Sequence, residues 1–236
     1  SLARTGAWQG EIWNRRKNDE IYPEWLTISA VNDSHGRVTH YVSMLTDITL
    51  RKATQEEIKQ LAFYDALTSL PNRRLLHDRL RIAMAASARR NRQGALLFID
   101  LDNFKTLNDT QGHDMGDQLL VQVADRIRQC VRDEDTAARL GGDEFVVILT
   151  GLDEDEKLAA SATEMVAEKI LAVLSQPYIF GSATHRSTAS IGATLFGTNP
   201  VAVDALMKQA DLAMYRAKES ARNVVRFFDP GMEAAV

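Results

Sequence analysis

At 236 residues with 45% hydrophobic composition, the chain is long enough to bury a sizeable core in one or two domains. Its 28 basic and 32 acidic residues leave a formal net charge of -4, which argues against a general nucleic-acid binder with a dominant basic face. Cys130 is the single cysteine, so an intrachain disulfide and a thiolate metal cluster are both excluded, as expected of a reducing, cytoplasmic compartment. No apolar run approaches the ~20 residues that span a bilayer, although a longer parent could still be membrane-anchored.

Residues 1–46 read as an antiparallel meander of about three strands. Gly10 to Trp13, Tyr22 to Val31 and Val38 to Leu45 are rich in aromatic and β-branched residues, and Asn18-Asp19 and Asn32 to Gly36 supply turn chemistry between them. Residues 47–62 change character: Asp47 or Thr49 can cap a helix through Leu61, whose few apolar positions make it marginal by itself. Such a segment suits either a connector that pairs with a second copy or a solvent-exposed linker.

Residues 63–229 alternate helices and strands. Leu76, Leu80, Ala83 and Met84 mark one helix face; Ala95 to Ile99 is a fully apolar run, as for a strand buried on both faces. Leu119, Val123, Ile127 and Cys130 mark a second helix, and Phe145 to Leu149 another buried strand. Val166, Ile170 and Val173 mark a third helix, Ser187 to Phe196 a strand, Leu206, Ala210, Ala213 and Ala217 a fourth helix, and Val224 to Phe228 a last short strand. The pattern predicts an α/β (α+β) sandwich whose central sheet is mostly antiparallel and flanked by helices. Residues 230–236 form a tail.

Chemistry concentrates at two strand ends. In Phe98-Ile99-Asp100-Leu101-Asp102, period-two alternation places Asp100 and Asp102 on one side, at the rim of the sheet. In Arg139-Leu140-Gly141-Gly142-Asp143-Glu144-Phe145, paired glycines permit a tight hairpin with Asp143 and Glu144 at its tip. If the two strands are neighbours, the carboxylates converge with a strand-end carbonyl into a hard oxygen site suited to Mg²⁺, which can bridge triphosphate oxygens and activate a hydroxyl.

The Gly141 to Phe145 segment resembles the signature of the GGDEF family, the diguanylate cyclases, without substitution, and Asp65-Ala66-Leu67-Thr68-Ser69-Leu70-Pro71-Asn72-Arg73 is similar to the family's opening motif. The resemblance implies a palm-like fold and condensation of two GTP into cyclic di-GMP and two pyrophosphates. It implies two Mg²⁺ per site, with Mn²⁺ as an alternative, bound by Asp100, the Leu101 carbonyl and Asp143. Glu144 would either help hold the second metal or accept the 3′-hydroxyl proton. Asn108 and Asp117 would read guanine, whose N–H groups and O6 suit a carboxylate and an amide. His113 either lines that pocket or serves the start of its helix. Lys105, Lys218 and Arg222 would contact phosphates. Ala221 stands where the family commonly has glycine, which leaves the placement of Arg222 to the tertiary structure. Arg132-Asp133-Glu134-Asp135, with Asp135 six positions before Gly141, resembles the family's inhibitory product site.

Trp8 to Arg16, His40-Tyr41-Val42 and Asp47 to Lys52 resemble the closing strands of a PAS domain, and Phe227 to Glu233 resembles the segment that leads into an EAL phosphodiesterase domain. One half-site per chain implies a homodimer through the N-terminal module and linker helix, with the cyclase domains facing. Two other functions fit the same residues: a non-catalytic GTP-binding regulator of an attached EAL domain, and a cyclic di-GMP receptor.

Overall fold

The computed structural model describes residues 2–181, 183–197, 199 and 201–235. The chain divides into two compact units, Ser1–Gln60 and Leu61–Val236.

In the first unit a single helical turn, α1 (Leu2–Thr5), precedes three antiparallel strands, β1 (Ala7–Arg15), β2 (Ile21–Asn32) and β3 (Val38–Asp47), in the order β1-β2-β3. The predicted meander is present, and its second turn closes as its composition requires. Asp33 Oδ1 accepts the His35 and Arg37 amides at 2.9 Å each, and Gly36 takes φ +78°. Asp47 then caps α2 (Thr49–Phe63), accepting the Thr49 N–H at 2.9 Å. Hydrogen bonds from Thr49 and Arg16 hold the Asp47 carboxyl down at about 2. The helix buries none of its residues, in keeping with its sparse apolar positions.

The second unit continues with α3 (Arg73–Arg90), β4 (Gln93–Leu101), α4 (Phe104–Gln111), α5 (His113–Cys130), β5 (Thr136–Gly141), β6 (Glu144–Leu152) and α6 (Glu156–Leu174). A small hairpin of β7 (Tyr178–Phe180) and β8 (Ala183–His185) follows, then β9 (Ala189–Phe196), α7 (Val203–Ser220), β10 (Val225–Phe227) and a 3₁₀ segment, Pro230–Ala235. The five-stranded sheet has the order β10-β9-β4-β6-β5, and every pairing but the parallel β10–β9 is antiparallel. The mixed α/β class, with a central sheet between helices, is as the sequence predicts. Helix α4, strand β5 and the β7–β8 hairpin are additions to that reading, because each is short and lacks a strong period.

Alternation along β4 and β6 sends side chains to two separate cores. Leu97, Ile99, Phe145 and Val147 pack with Leu119, Val123, Ile127 and Ile170 of α5 and α6. Leu96, Phe98, Val146 and Ile148 pack with Leu76 and Leu80 of α3 and Leu206, Ala210 and Met214 of α7. By the same parity Asp100 and Glu144 belong to the α3/α7 face. Helix α7 comes close to the sheet at Gly192 of β9, where a Cβ would overlap the Ala210 carbonyl and the Met214 amide. No described helix is long and apolar enough to cross a membrane.

Because that contact is backbone against backbone, neither side can yield cheaply. Gly192→Ala is expected to cost about 1–3 kcal/mol of unfolding free energy, measured as a lower urea midpoint at unchanged slope.

Candidate active site

The register places Asp100 directly opposite Glu144, so the strand rim and the hairpin tip meet as neighbours. Hairpin geometry follows from the glycines: Gly141 pairs with Glu144 across a two-residue turn, with Gly141 at φ +139° and Gly142 at φ +52°. Asp143 occupies the tip, and its carbonyl accepts the Leu101 N–H at 3.4 Å, linking the turn to the end of β4.

Asp100 is buried, and its Oδ1 lies 2.6 Å from Lys218 Nζ of α7, a charge contact rather than an aligned hydrogen bond. Burial, aided by the negative charges of Asp143 and Glu144, pushes the Asp100 carboxyl up to about 6 from 3.8, against the opposing pull of Lys218. The Glu144 carboxyl is also raised, first by burial, then by Asp211 and Asp143, while Arg73 and Lys218 oppose the shift. Arg73 Nη2 lies 4.0 Å from Glu144 Oε2. Three acids with two surrounding cations therefore define the rim, and Asp211 of α7, raised mainly by burial, adds a fourth. Asp211 carries no sequence signal of its own and Arg73 only that of closing the opening motif; the packing of α7 and α3 brings them here.

This donor set suits a hard divalent cation. The acceptors are all oxygen, Asp100 is desolvated and already draws an ammonium group, and neighbouring negative charge raises both the Asp100 and the Glu144 carboxyls. Among the described residues no three His, Cys, Asp or Glu side chains form a closed metal cage. A Mg²⁺ ion bound by one or two carboxylates plus substrate phosphates needs none.

The hairpin is anchored by the half-buried Asp65 and the buried Arg139. Arg139 donates to the Gly142 carbonyl from Nε at 3.0 Å and from Nη2 at 2.7 Å, and to Asp65 Oδ1 from Nη1 at 2.9 Å. Asp65 also accepts from the Thr68 amide and hydroxyl, while Asn72 caps α3 through the Arg74 and Leu75 amides. The opening motif thus works as a clamp on the hairpin.

Of the residues implicated in guanine reading, Asn108 stands in the middle of α4 with its Oδ1 buried and unpartnered. A Cβ on Gly116 would collide with it, so Asn108 packs against the turn of α5 that carries Asp117. Asp117, His113 and Lys105 are exposed, with His113 at the first position of α5 and Lys105 in the first turn of α4. Helix α7 ends at Ser220, so Arg222 does not share a helix face with Lys218. Ala221 has φ -146°, open to any residue, and the left-handed geometry falls instead on Arg222 (φ +49°) and Asn223 (φ +50°). Asp102 is buried and accepts from Thr188, Ser190 and Asn223, well apart in its bonding from Asp100.

At the predicted inhibitory site, Asp135 does not pair with the Arg132 side chain. Its Oδ2 accepts the Arg132 N–H at 3.1 Å and its Oδ1 the Thr150 N–H at 3.0 Å. The exposed Arg132 guanidinium lies 3.6 Å from Glu134.

Comparison with known proteins gives consistent matches. The family model described as "Diguanylate cyclase, GGDEF domain" matches residues 62–224. The bifunctional diguanylate cyclase/cyclic di-GMP phosphodiesterase MucR of Pseudomonas aeruginosa is 47% identical over 186 residues, 79% of this chain and 26% of MucR. The chain thus spans about a quarter of that relative's length. Among solved structures, the GGDEF domain of TpbB (YfiN) from Pseudomonas aeruginosa aligns with TM-score 0.68 and 38% identity, covering 73% of this chain and 98% of that one. The coiled coil and GGDEF domain of DgcB from Caulobacter crescentus, in complex with c-di-GMP, aligns with TM-score 0.67 and 29% identity over 76% and 93%.

A carboxyl that holds its proton more tightly folded than unfolded lowers stability as pH rises from 3.8 through about 6. Asp100→Asn is therefore expected to stabilise the metal-free protein at neutral pH by on the order of 2 kcal/mol. Thermal melts in chelator should show the gain above pH 6 and its disappearance below 3.8.

Proposed function

Since the chain belongs to the GGDEF diguanylate cyclase family, we propose that it condenses two GTP molecules into cyclic di-GMP and two pyrophosphates. The observation that carries this reading is the buried Asp100, in register with Glu144 beside the Asp143 tip and in contact with Lys218.

In this reading Asn108 and Asp117 hold the guanine edge, where adenine would leave buried polar groups unpaired. Asp100, Asp143 and the Leu101 carbonyl would hold Mg²⁺, with Glu144 beside them. The bound ions would neutralise triphosphate charge and lower the cost of ionising the attacking hydroxyl. Lys218, which contacts Asp100 in the free protein, would be available to the phosphates if Asp100 held a metal instead, as would Lys105 and Arg222. The 3′-oxygen of each GTP forms a bond to the α-phosphorus of the other; the α–β bridging bond breaks, pyrophosphate leaves, and the proton passes to Glu144 or to water.

Each chain supplies one half-site, so the active species is a homodimer with the two domains facing. We read the first unit as the closing strands of a PAS domain and α2 as the signalling helix that sets this dimer. The chain's last residues we read as the approach to an EAL domain. Arg132 and Asp135 would bind the product and slow turnover; in that role the exposed Arg132 stacks on guanine while Asp135 shapes the turn beneath it.

Incubation of concentrated protein with GTP and Mg²⁺ should yield cyclic di-GMP, and Asp143→Ala/Glu144→Ala should yield none; a verified parental dimer that binds GTP without making product would replace this reading with a regulatory GTP-binding role. A second test addresses guanine. Gly116→Ala pushes the Asn108 side chain aside and should raise the KM for GTP about tenfold, with kcat largely kept at saturation, as followed by pyrophosphate release.

A further inference from the structure

Asp102 lies one residue beyond the end of β4 and is 5% exposed. Its Oδ2 accepts the Thr188 hydroxyl at 2.6 Å and the Asn223 N–H at 3.3 Å, and its Oδ1 accepts the Ser190 hydroxyl at 2.8 Å. Two of these donors belong to the approach and start of β9; the third belongs to the turn after α7. That turn carries two successive left-handed residues with side chains, Arg222 and Asn223, a conformation that persists only where the surroundings over-determine it. The surroundings here are specific. Asn223 is held by its backbone on Asp102 and by its side-chain Oδ1, which accepts the Ser175 hydroxyl at 3.1 Å. The Arg222 N–H reaches the Ala217 carbonyl at 3.2 Å, and the Val224 carbonyl accepts from Ile191 at 3.0 Å.

We infer that Asp102 is a positioning residue for GTP binding: it pins the left-handed turn and so sets where the Arg222 guanidinium meets the triphosphate. The inference rests on the proposed phosphate contact of Arg222. It also separates the two neighbouring aspartates by chemistry, Asp100 acting through charge and Asp102 through acceptor geometry.

The bonding pattern supplies a discriminating variant. A backbone N–H can only donate, whereas a hydroxyl can donate or accept. In Asp102→Asn the amide oxygen can take the place of Oδ2 and keep both the Asn223 and Thr188 donors, while the amide NH₂ donates to Ser190. Charge is lost and positioning is kept. Asp102→Ala loses both.

The test uses the whole chain and the α,β-methylene analogue of GTP with Mg²⁺, titrated calorimetrically. Asp102→Asn should bind within about threefold of the parent, whereas Asp102→Ala and Arg222→Ala should each bind about tenfold more weakly, with the double variant no weaker than the worse single one. Amide hydrogen exchange at Asn223 should quicken in Asp102→Ala and stay slow in Asp102→Asn. If Asp102→Ala does not fold, Asp102→Ser, too short to reach the Asn223 amide, takes its place. The inference is overturned by an Asn variant as weak as the Ala variant, by losses that add in the double variant, by unchanged exchange at Asn223 in Asp102→Ala, or by unchanged affinity in Arg222→Ala. These arms need no turnover. A parent that makes no cyclic di-GMP yet shows these couplings would sink the cyclase reading and leave this inference standing.

Discussion

Negative charge gathered at one rim of the five-stranded sheet is the constraint around which the second unit is arranged. Asp100 is desolvated, sits opposite Glu144 and feels Asp143, so its carboxyl is raised rather than relaxed. In a partly buried setting such a cluster is tolerated only with cations at hand. Lys218 supplies one from α7, and Arg73 supplies another at the start of α3. The carboxylates that make the rim unfavourable for the free protein are the ones proposed above to hold a divalent ion. Stability given up at this place is the ordinary counterpart of a prepared site.

Holding that arrangement requires stiffness on every side. The glycine turn that carries Asp143 has no side chain to stiffen it, and its carbonyl at Gly142 is gripped by Arg139, itself fixed by Asp65. Helix α7 can deliver Lys218 to the sheet rim because Gly192 lets backbone meet backbone. Behind the rim, Asp102 joins β9 to the turn that follows α7. Each device acts on backbone position, so residues outside the carboxylate cluster set where Lys218 and the turn after α7 stand.

Asp135 illustrates how a sequence motif can be satisfied in an unforeseen way. The Arg132 to Asp135 segment resembles a product site, and within it both Asp135 oxygens are taken by backbone amides. The arginine side chain is thereby left to solvent and to Glu134. A carboxylate that caps its own turn in this way leaves the guanidinium outside any ion pair with it.

From its residues alone the chain determined much of this. Periodicity marked four of the helices and the buried strands of the α/β unit, because a strand buried on both faces must read as an unbroken apolar run and an amphipathic helix must repeat its apolar positions. The paired glycines before Asp143 and Glu144 marked the hairpin, and the acid after Ile99 marked the rim. What the linear order could not contain is which rims and helix ends meet. The Asp100–Glu144 register, the arrival of Lys218, Arg73 and Asp211, the Asp65–Arg139 clamp across 74 positions and the Asp102–Asn223 bond across 121 all arise from sheet order and helix packing. Arg222 shows the divide within a single residue: its charge was evident from the sequence, but its left-handed place lies beyond the end of α7, in a turn whose next residues bond Asp102, Ser175 and Ile191, groups that only the folded chain brings together.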